Sequence, residues 1–138
     1  MSEHPLPKPM ELAAELIERA QAVAVARRLS EVSQAGDVGS ALITDAGNIY
    51  TGVSLDCACG IGFCAEHSAV AAMVTHGEHR IAAIVAVTED GRVIPPCGRC
   101  RELVSQVHKA NMTTQVVLGE NEAVPLEDLL PRPWKRRT

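Results

Sequence analysis

Aromatic residues are nearly missing from these 138 residues, which hold one Trp, one Tyr and one Phe. The core must therefore be built from Ala, Val, Leu and Ile, and there is no row of aromatic platforms on which successive bases could stack. Excess positive charge is lacking too: 13 Lys and Arg face 17 Asp and Glu, for a formal net charge of −4. A phosphate polyanion is held by clustered Lys and Arg, so nucleic acid is not an expected partner. Long apolar runs are absent, since no stretch approaches the roughly 20 consecutive apolar residues of a membrane helix. A membrane is not expected either. The first residues, Met1 to Pro9, show no basic segment followed by an apolar run and a small-residue cleavage site, which makes the cytoplasm the expected compartment. Five cysteines in a reducing compartment are thiols or metal ligands rather than disulfides.

With 46% apolar residues, the length suits one core. The expectation is a single domain over 1–138, with 1–9 a flexible lead and 135–138 a solvated basic tail. Leu12, Leu16, Ala20 and Val23 recur at spacings of three and four, and Glu15 pairs with Arg19, which predicts an amphipathic helix from about Met10 to Leu29. Asp37 to Thr44 and Ile49 to Leu55 read as two strands joined by the turn residues Asp45 to Asn48. Cys64 to Thr75 is helix-forming and nearly apolar all round, with Gly77 as its stop, and predicts a buried central helix. Ile81 to Val87 has the β-branched, apolar character of a strand covered on both faces. A helix over Cys97 to His108, a strand near Thr114 to Leu118, a short strand near Val124 and a helical turn at Glu127 to Leu130 complete the order. Strands and helices alternating this way call for an α/β fold, one sheet with helices on both faces.

The chemistry concentrates at two predicted helix starts, Cys64-Ala65-Glu66 and Pro96-Cys97-Gly98-Arg99-Cys100. Thiols there meet the positive end of the helix dipole and unpaired N–H groups, both of which favour thiolate. Cys64, Cys97 and Cys100 can share one Zn²⁺, and three protein ligands leave the fourth position of a tetrahedral ion for water, as in catalytic sites. Glu66, on the first helical turn, is placed to shuttle protons without being a ligand. Three thiolates outweigh the charge of one zinc ion, and His67 and Arg99 are placed around the ligands to offset the excess. A lone C-x-x-C also fits a redox pair, and a four-cysteine structural site could recruit Cys57 or Cys59. Such a site leaves Glu66 without a purpose. A non-catalytic zinc-binding scaffold is the alternative of a different class.

The joint pattern resembles the zinc-dependent cytidine deaminase superfamily, whose signature is H-A-E or C-A-E followed by P-C-x-x-C. The likeness runs from about Leu12 to Trp134 and is strongest to the small homo-oligomeric branch that includes cytidine deaminase and blasticidin S deaminase. Val38-Gly39-Ser40-Ala41-Leu42 is similar to that branch's V-G-A-A-L strand, and Leu129-Leu130-Pro131-Arg132-Pro133-Trp134 to its L-L-P-x-x-F ending. Pro96-Cys97-Gly98-Arg99-Cys100-Arg101 follows the blasticidin form. The resemblance implies a three-layer α/β/α sandwich with a mixed five-stranded sheet, and hydrolytic deamination of an aminopyrimidine nucleoside. It also implies zinc on Cys64, Cys97 and Cys100, proton shuttling by Glu66, and the Ala65 N–H against the base carbonyl. It further implies a homo-oligomer, tetramer or dimer, in which Trp134 lies near a neighbour's site. A blasticidin S-type or other modified aminated heterocycle is the alternative substrate. The branch reads G-x-N-x-E where this chain reads Gly52-Val53-Ser54-Leu55-Asp56, so Ser54 and Asp56 stand at the ribose positions with shorter side chains. The branch's aromatic before V-G-A-A-L is displaced, with Gly36-Asp37 in its place, and its usual Arg after C-A-E is His67.

Overall fold

The computed structural model describes residues 9–134, so the expectations for the lead at 1–8 and the tail at 135–138 lie outside the described residues. Helix α1 (Pro9–Val23) is followed by strands β1 (Arg27–Ser30), β2 (Ser33–Thr44), β3 (Ile49–Cys57) and β4 (Gly62–Phe63). Helix α2 (Ala65–Thr75), β5 (Ile81–Thr88), β6 (Val93–Ile94) and α3 (Gly98–Val107) come next. A 3₁₀ turn at Lys109–Thr113, β7 (Gln115–Gly119), β8 (Glu122–Pro125) and α4 (Leu126–Leu129) complete the described chain.

The main path of the sheet runs β4-β3-β2-β5-β7-β8, with β1 beside β2 and β6 beside β5. The β5–β7 pair is parallel and the others antiparallel, so the sheet is mixed. Parallel neighbours need a long crossover, which α3 supplies. Alternation along the central strands sorts the core into two layers. Ala41, Ile43, Ala83, Val85 and Val87 meet Leu12, Leu16 and Ala20 of α1, whereas Leu42, Ile84 and Val116 meet Ala69, Val70 and Met73 of α2 and Val104 of α3. This is the expected α/β/α sandwich. Leu16, Leu42 and Met73 are fully enclosed, and each contributes about 2 kcal/mol by leaving water.

Three expectations change. The sheet has eight strands among the described residues rather than five, because β1, β4 and β6 are short additions at its margins. Helix α1 stops at Val23 and not near Leu29, since Arg27 and Arg28 pair with Ala35 and Gln34 of β2. Helix α2 is not buried all round: Ala65, Glu66, Ala69, Val70 and Met73 face inward, but Ala71 and Val74 are exposed.

Candidate active site

Both chemical motifs sit where expected, at the starts of α2 and α3. Cys64 and Cys97 are the residues just before the first helical turns, both in extended backbone, which brings both sulfurs to the helix starts. Helix α2 is pressed onto β3 at Gly52, where an added Cβ would lie 2.4 Å from the Ala69 nitrogen. The Ser68 hydroxyl donates to the Val53 carbonyl at 2.7 Å and fixes the same contact. On the other side, Arg101 donates to the Pro96 carbonyl at 2.9 Å and to the Leu129 carbonyl at 3.1 Å, which ties the α3 start to the carboxy-terminal segment.

Between these anchored helix starts the thiols converge. Cys97 Sγ lies 3.4 Å from Cys64 Sγ and 3.4 Å from Cys100 Sγ. His67 Nδ1 lies 3.4 Å from Cys100 Sγ, and the donor atoms of Cys64, His67 and Cys100 are all within 4.8 Å of one another. Zn–S bonds of about 2.3 Å in a tetrahedron separate sulfurs by about 3.8 Å, so three thiols at this spacing fit one zinc ion after a small outward shift. Cys57 and Cys59 lie outside this cluster, and the four-cysteine site that would recruit them is not what the fold assembles.

A cleft of about 550 Å³ opens on the cluster, lined by Cys64, Ala65, Glu66, Cys97 and Arg99 together with Ser54 and Asp56. That volume is in the range of small-molecule sites. Cys100 is buried, and His67 lines a second groove, between α2 and α3. Ser54 is only 8% exposed, and its oxygen accepts the Val38 N–H at 3.1 Å. Trp134 is outside its own chain's cleft: it is 64% exposed, and its backbone N–H donates to the Glu102 carboxylate at 3.0 Å. Asp37 also lines the cleft, which the sequence reading missed; the signal available was the break at Gly36-Asp37 where the branch has an aromatic.

Burial sets the electrostatics. Glu66 is 4% exposed, and enclosure raises its pKa above the ordinary carboxylate value, against its own backbone N–H and the Cys100 thiol, which favour the charged form. The Cys64 thiol is pushed up by burial and then by the neighbouring Cys97 thiol. Cys100 is driven up by burial and by the charge of Glu66. Burial also opposes the Cys97 thiolate, but backbone N–H groups at Cys100 and Arg99 and the two other thiols prevail and lower its pKa. His67 is lowered by burial and by the Arg99 guanidinium, which leaves a neutral imidazole.

Residues 10–117 match the cytidine and deoxycytidylate deaminase zinc-binding region. The chain belongs to this family. It is 31% identical over 99 residues to a cytidine deaminase of Halalkalibacterium halodurans, covering 68% of this chain and 74% of that one. It is also 31% identical over 108 residues to a blasticidin-S deaminase of Bacillus cereus, covering 72% and 77%. The crystal structure of cytidine deaminase from Mycobacterium tuberculosis superposes with a TM-score of 0.74 at 26% identity, covering 89% of this chain and 97% of that one. That of the Burkholderia pseudomallei enzyme gives 0.70 at 31% identity, covering 88% and 98%. Family membership makes the protein a zinc-dependent deaminase, a hydrolase acting on a C–N bond, and the thiol cluster is the part of the fold that suits the metal.

The raised thiols have a measurable consequence. Zinc takes thiolates, so the protons that burial keeps on Cys64 and Cys100 must leave when the metal enters. Calorimetric zinc titrations of the metal-free protein near neutral pH, in buffers of different ionisation enthalpy, are expected to show protons released as the ion enters and an affinity that rises with pH. Heats that do not depend on the buffer contradict this.

Proposed function

We propose that the protein hydrolyses the amino group of an aminopyrimidine nucleoside, cytidine or deoxycytidine, with water adding at the carbon that bears the amine and ammonia leaving. The observation that carries this reading is the meeting of three thiols from two helix starts with a buried carboxyl, Glu66, on one cleft. Cys64, Cys97 and Cys100 would hold the zinc, which when bound would supply a Lewis acid for activating water at neutral pH. Glu66 takes a proton from the attacking water and delivers one to the departing amine, a task suited to a carboxyl whose pKa burial has raised above its ordinary value. The Ala65 N–H, at the start of α2, is a donor for the base carbonyl. His67, held neutral with Nδ1 3.4 Å from the Cys100 sulfur, would as its Nδ1–H tautomer donate to a Cys100 thiolate and draw off charge. Arg99 does the same at the cleft rim. Asp56 accepts from a sugar hydroxyl, while the Ser54 oxygen is engaged by the Val38 N–H.

A blasticidin S-type substrate is the second reading. It is favoured by the match to the blasticidin-S deaminase and by Arg99 in the second motif. Ammonia release by the zinc-loaded protein from cytidine, deoxycytidine, blasticidin S, adenosine and guanine compounds tests both. Turnover of cytidine supports the first reading, turnover of blasticidin S alone supports the second, and turnover of purines alone overturns both.

We also read the protein as a cytoplasmic homo-oligomer, tetramer or dimer, with Trp134 near a neighbour's site. Among the described residues no helix is long and apolar enough to cross a membrane. The groove between α2 and α3 is walled by Phe63, Val70, Ala71, Val74, Leu103 and Val107, and Phe63 and Val74 are exposed large hydrophobics. An apolar groove of this kind suits burial against a second copy. Light scattering is expected to read more than one chain per particle, and a monomer that is fully active overturns the oligomer.

A further inference from the structure

The wall of the cleft carries a charged residue for which the reaction has no use. Strand β2 bulges between Ala35 and Gly39, where its pairing with β3 slips, and the bulge turns Asp37 to the cleft. Bulges beside active sites commonly re-aim one side chain. Gly36 makes this one possible: its φ is +88°, and a Cβ there would lie 2.0 Å from the Val25 carbonyl oxygen. The Gln34 amide donates to Asp37 Oδ1 at 2.7 Å, and the Glu89 N–H donates to the Asp37 carbonyl at 3.2 Å. Val38, the next residue, is pinned by Ser54. The Ser54 hydroxyl that accepts this N–H is nine-tenths buried on the cleft wall, so the end of the bulge next to Asp37 in sequence is held in place.

Asp37 stands at the outer end of the cleft. It also lines an adjoining hollow, with Glu89, Asp90 and Arg92, that contains none of the zinc donors. The ionisable side chains lining the cleft, thiols aside, are Asp37, Asp56, Arg99 and Glu66, of which Arg99 sits between two thiols in sequence and Glu66 is occupied with proton transfer. Carboxylates therefore outnumber guanidinium along the cleft. We infer that Asp37 is a specificity-determining residue that holds a cationic group, a primary ammonium or guanidinium, on the part of the substrate remote from the reacting carbon. This rests on the deaminase reading of the same cleft. A phosphate in that position would meet Asp37 and Asp56 and be repelled, whereas an ammonium gains a charge-assisted hydrogen bond.

The probes are cytidine, 5′-amino-5′-deoxycytidine and cytidine 5′-monophosphate on the zinc-loaded protein. Each is measured for kcat/KM and, through the corresponding uridine product, for Kd by calorimetry. The amino compound is expected to be preferred over the hydroxyl compound about tenfold, and the phosphate to be disfavoured by at least as much, the scale of one partly exposed charged contact. Raising ionic strength from about 0.01 M to about 1 M should erase most of the preference, and that readout needs no variant. Asp37→Asn should bring the amino-to-hydroxyl ratio near unity in both kcat/KM and Kd, while Glu120→Gln, the same change in net charge at a residue that does not line the cleft, should leave it as it was. Equal handling of all three charges, a preference for phosphate, a preference that survives Asp37→Asn, or one that falls equally with Glu120→Gln overturns the inference. Failure of every compound to release ammonia sinks the reaction instead, and the product affinities still decide the role of Asp37.

Discussion

Replacing Glu66 by Gln is expected to leave zinc and fold in place and to lower turnover of the best substrate at least ~10²-fold, about 2.7 kcal/mol of barrier. Glutamine has nearly the same shape and can sit in the same enclosed position, but it neither accepts the proton of the attacking water nor hands one to the amine. The loss should fall on kcat, because Glu66 bonds change only as the reaction proceeds. Stability should move the other way. The folded protein holds the Glu66 proton more tightly than the unfolded chain does, because burial raises the pKa above its ordinary value of 4.5. Its stability is therefore greatest below that value and falls as pH rises through the folded pKa. Gln carries no such charge, so at neutral pH the variant's melting temperature should lie above that of the native protein. Near-native kcat removes Glu66 from the mechanism, and a lower melting temperature contradicts the account of its burial.

The parts of this molecule legible in the sequence are those where local pattern and tertiary demand agree. Helices α2 and α3 begin within a residue of Cys64 and Cys97 because the chain before each is extended, at Phe63 and at Pro95-Pro96, and then turns helical. Strand β5 is legible for a similar reason, since a run of Ile, Val and Ala this dense fits only a strand covered on both sides. The end of α1 was not legible. Val23 to Leu29 has no Gly or Pro, and its residues tolerate a helix. What stops it is pairing of Arg27 and Arg28 with β2, a contact no local window contains. Strands β4 and β6, two residues each, are too short for a period of two to register. At the site the thiols and Glu66 could be read because metal chemistry restricts residue type, and the face of α2 on which His67 falls could not. Its place in the groove depends on how α2 is rotated against β3 at Gly52.

Loss of the buried sulfur should have the largest effect on stability. Cys100→Ala is expected to drop zinc from about one ion per chain to trace amounts and to lower the melting temperature by about 10 °C or more. Cys100 is fully enclosed and lies 3.4 Å from both Cys97 Sγ and His67 Nδ1, so no other thiol can take its position without moving a helix. Removing a buried sulfur creates a small cavity, and that alone costs on the order of 1 kcal/mol. The metal contributes more. Binding of structural zinc by thiolates and imidazoles is worth about 10–16 kcal/mol in small peptides, and a few kcal/mol of such a sum shifts a domain of this size by about 10 °C. An ion shared by Cys64 and Cys97 would also link thiols 33 residues apart and so hold the starts of α2 and α3 together. The variant should therefore melt close to the native protein stripped of zinc, the remaining gap being the cavity. Cys59→Ala, at an exposed thiol outside the cluster, should keep both metal and melting temperature. Full zinc in Cys100→Ala, or zinc loss in Cys59→Ala, overturns the ligand set.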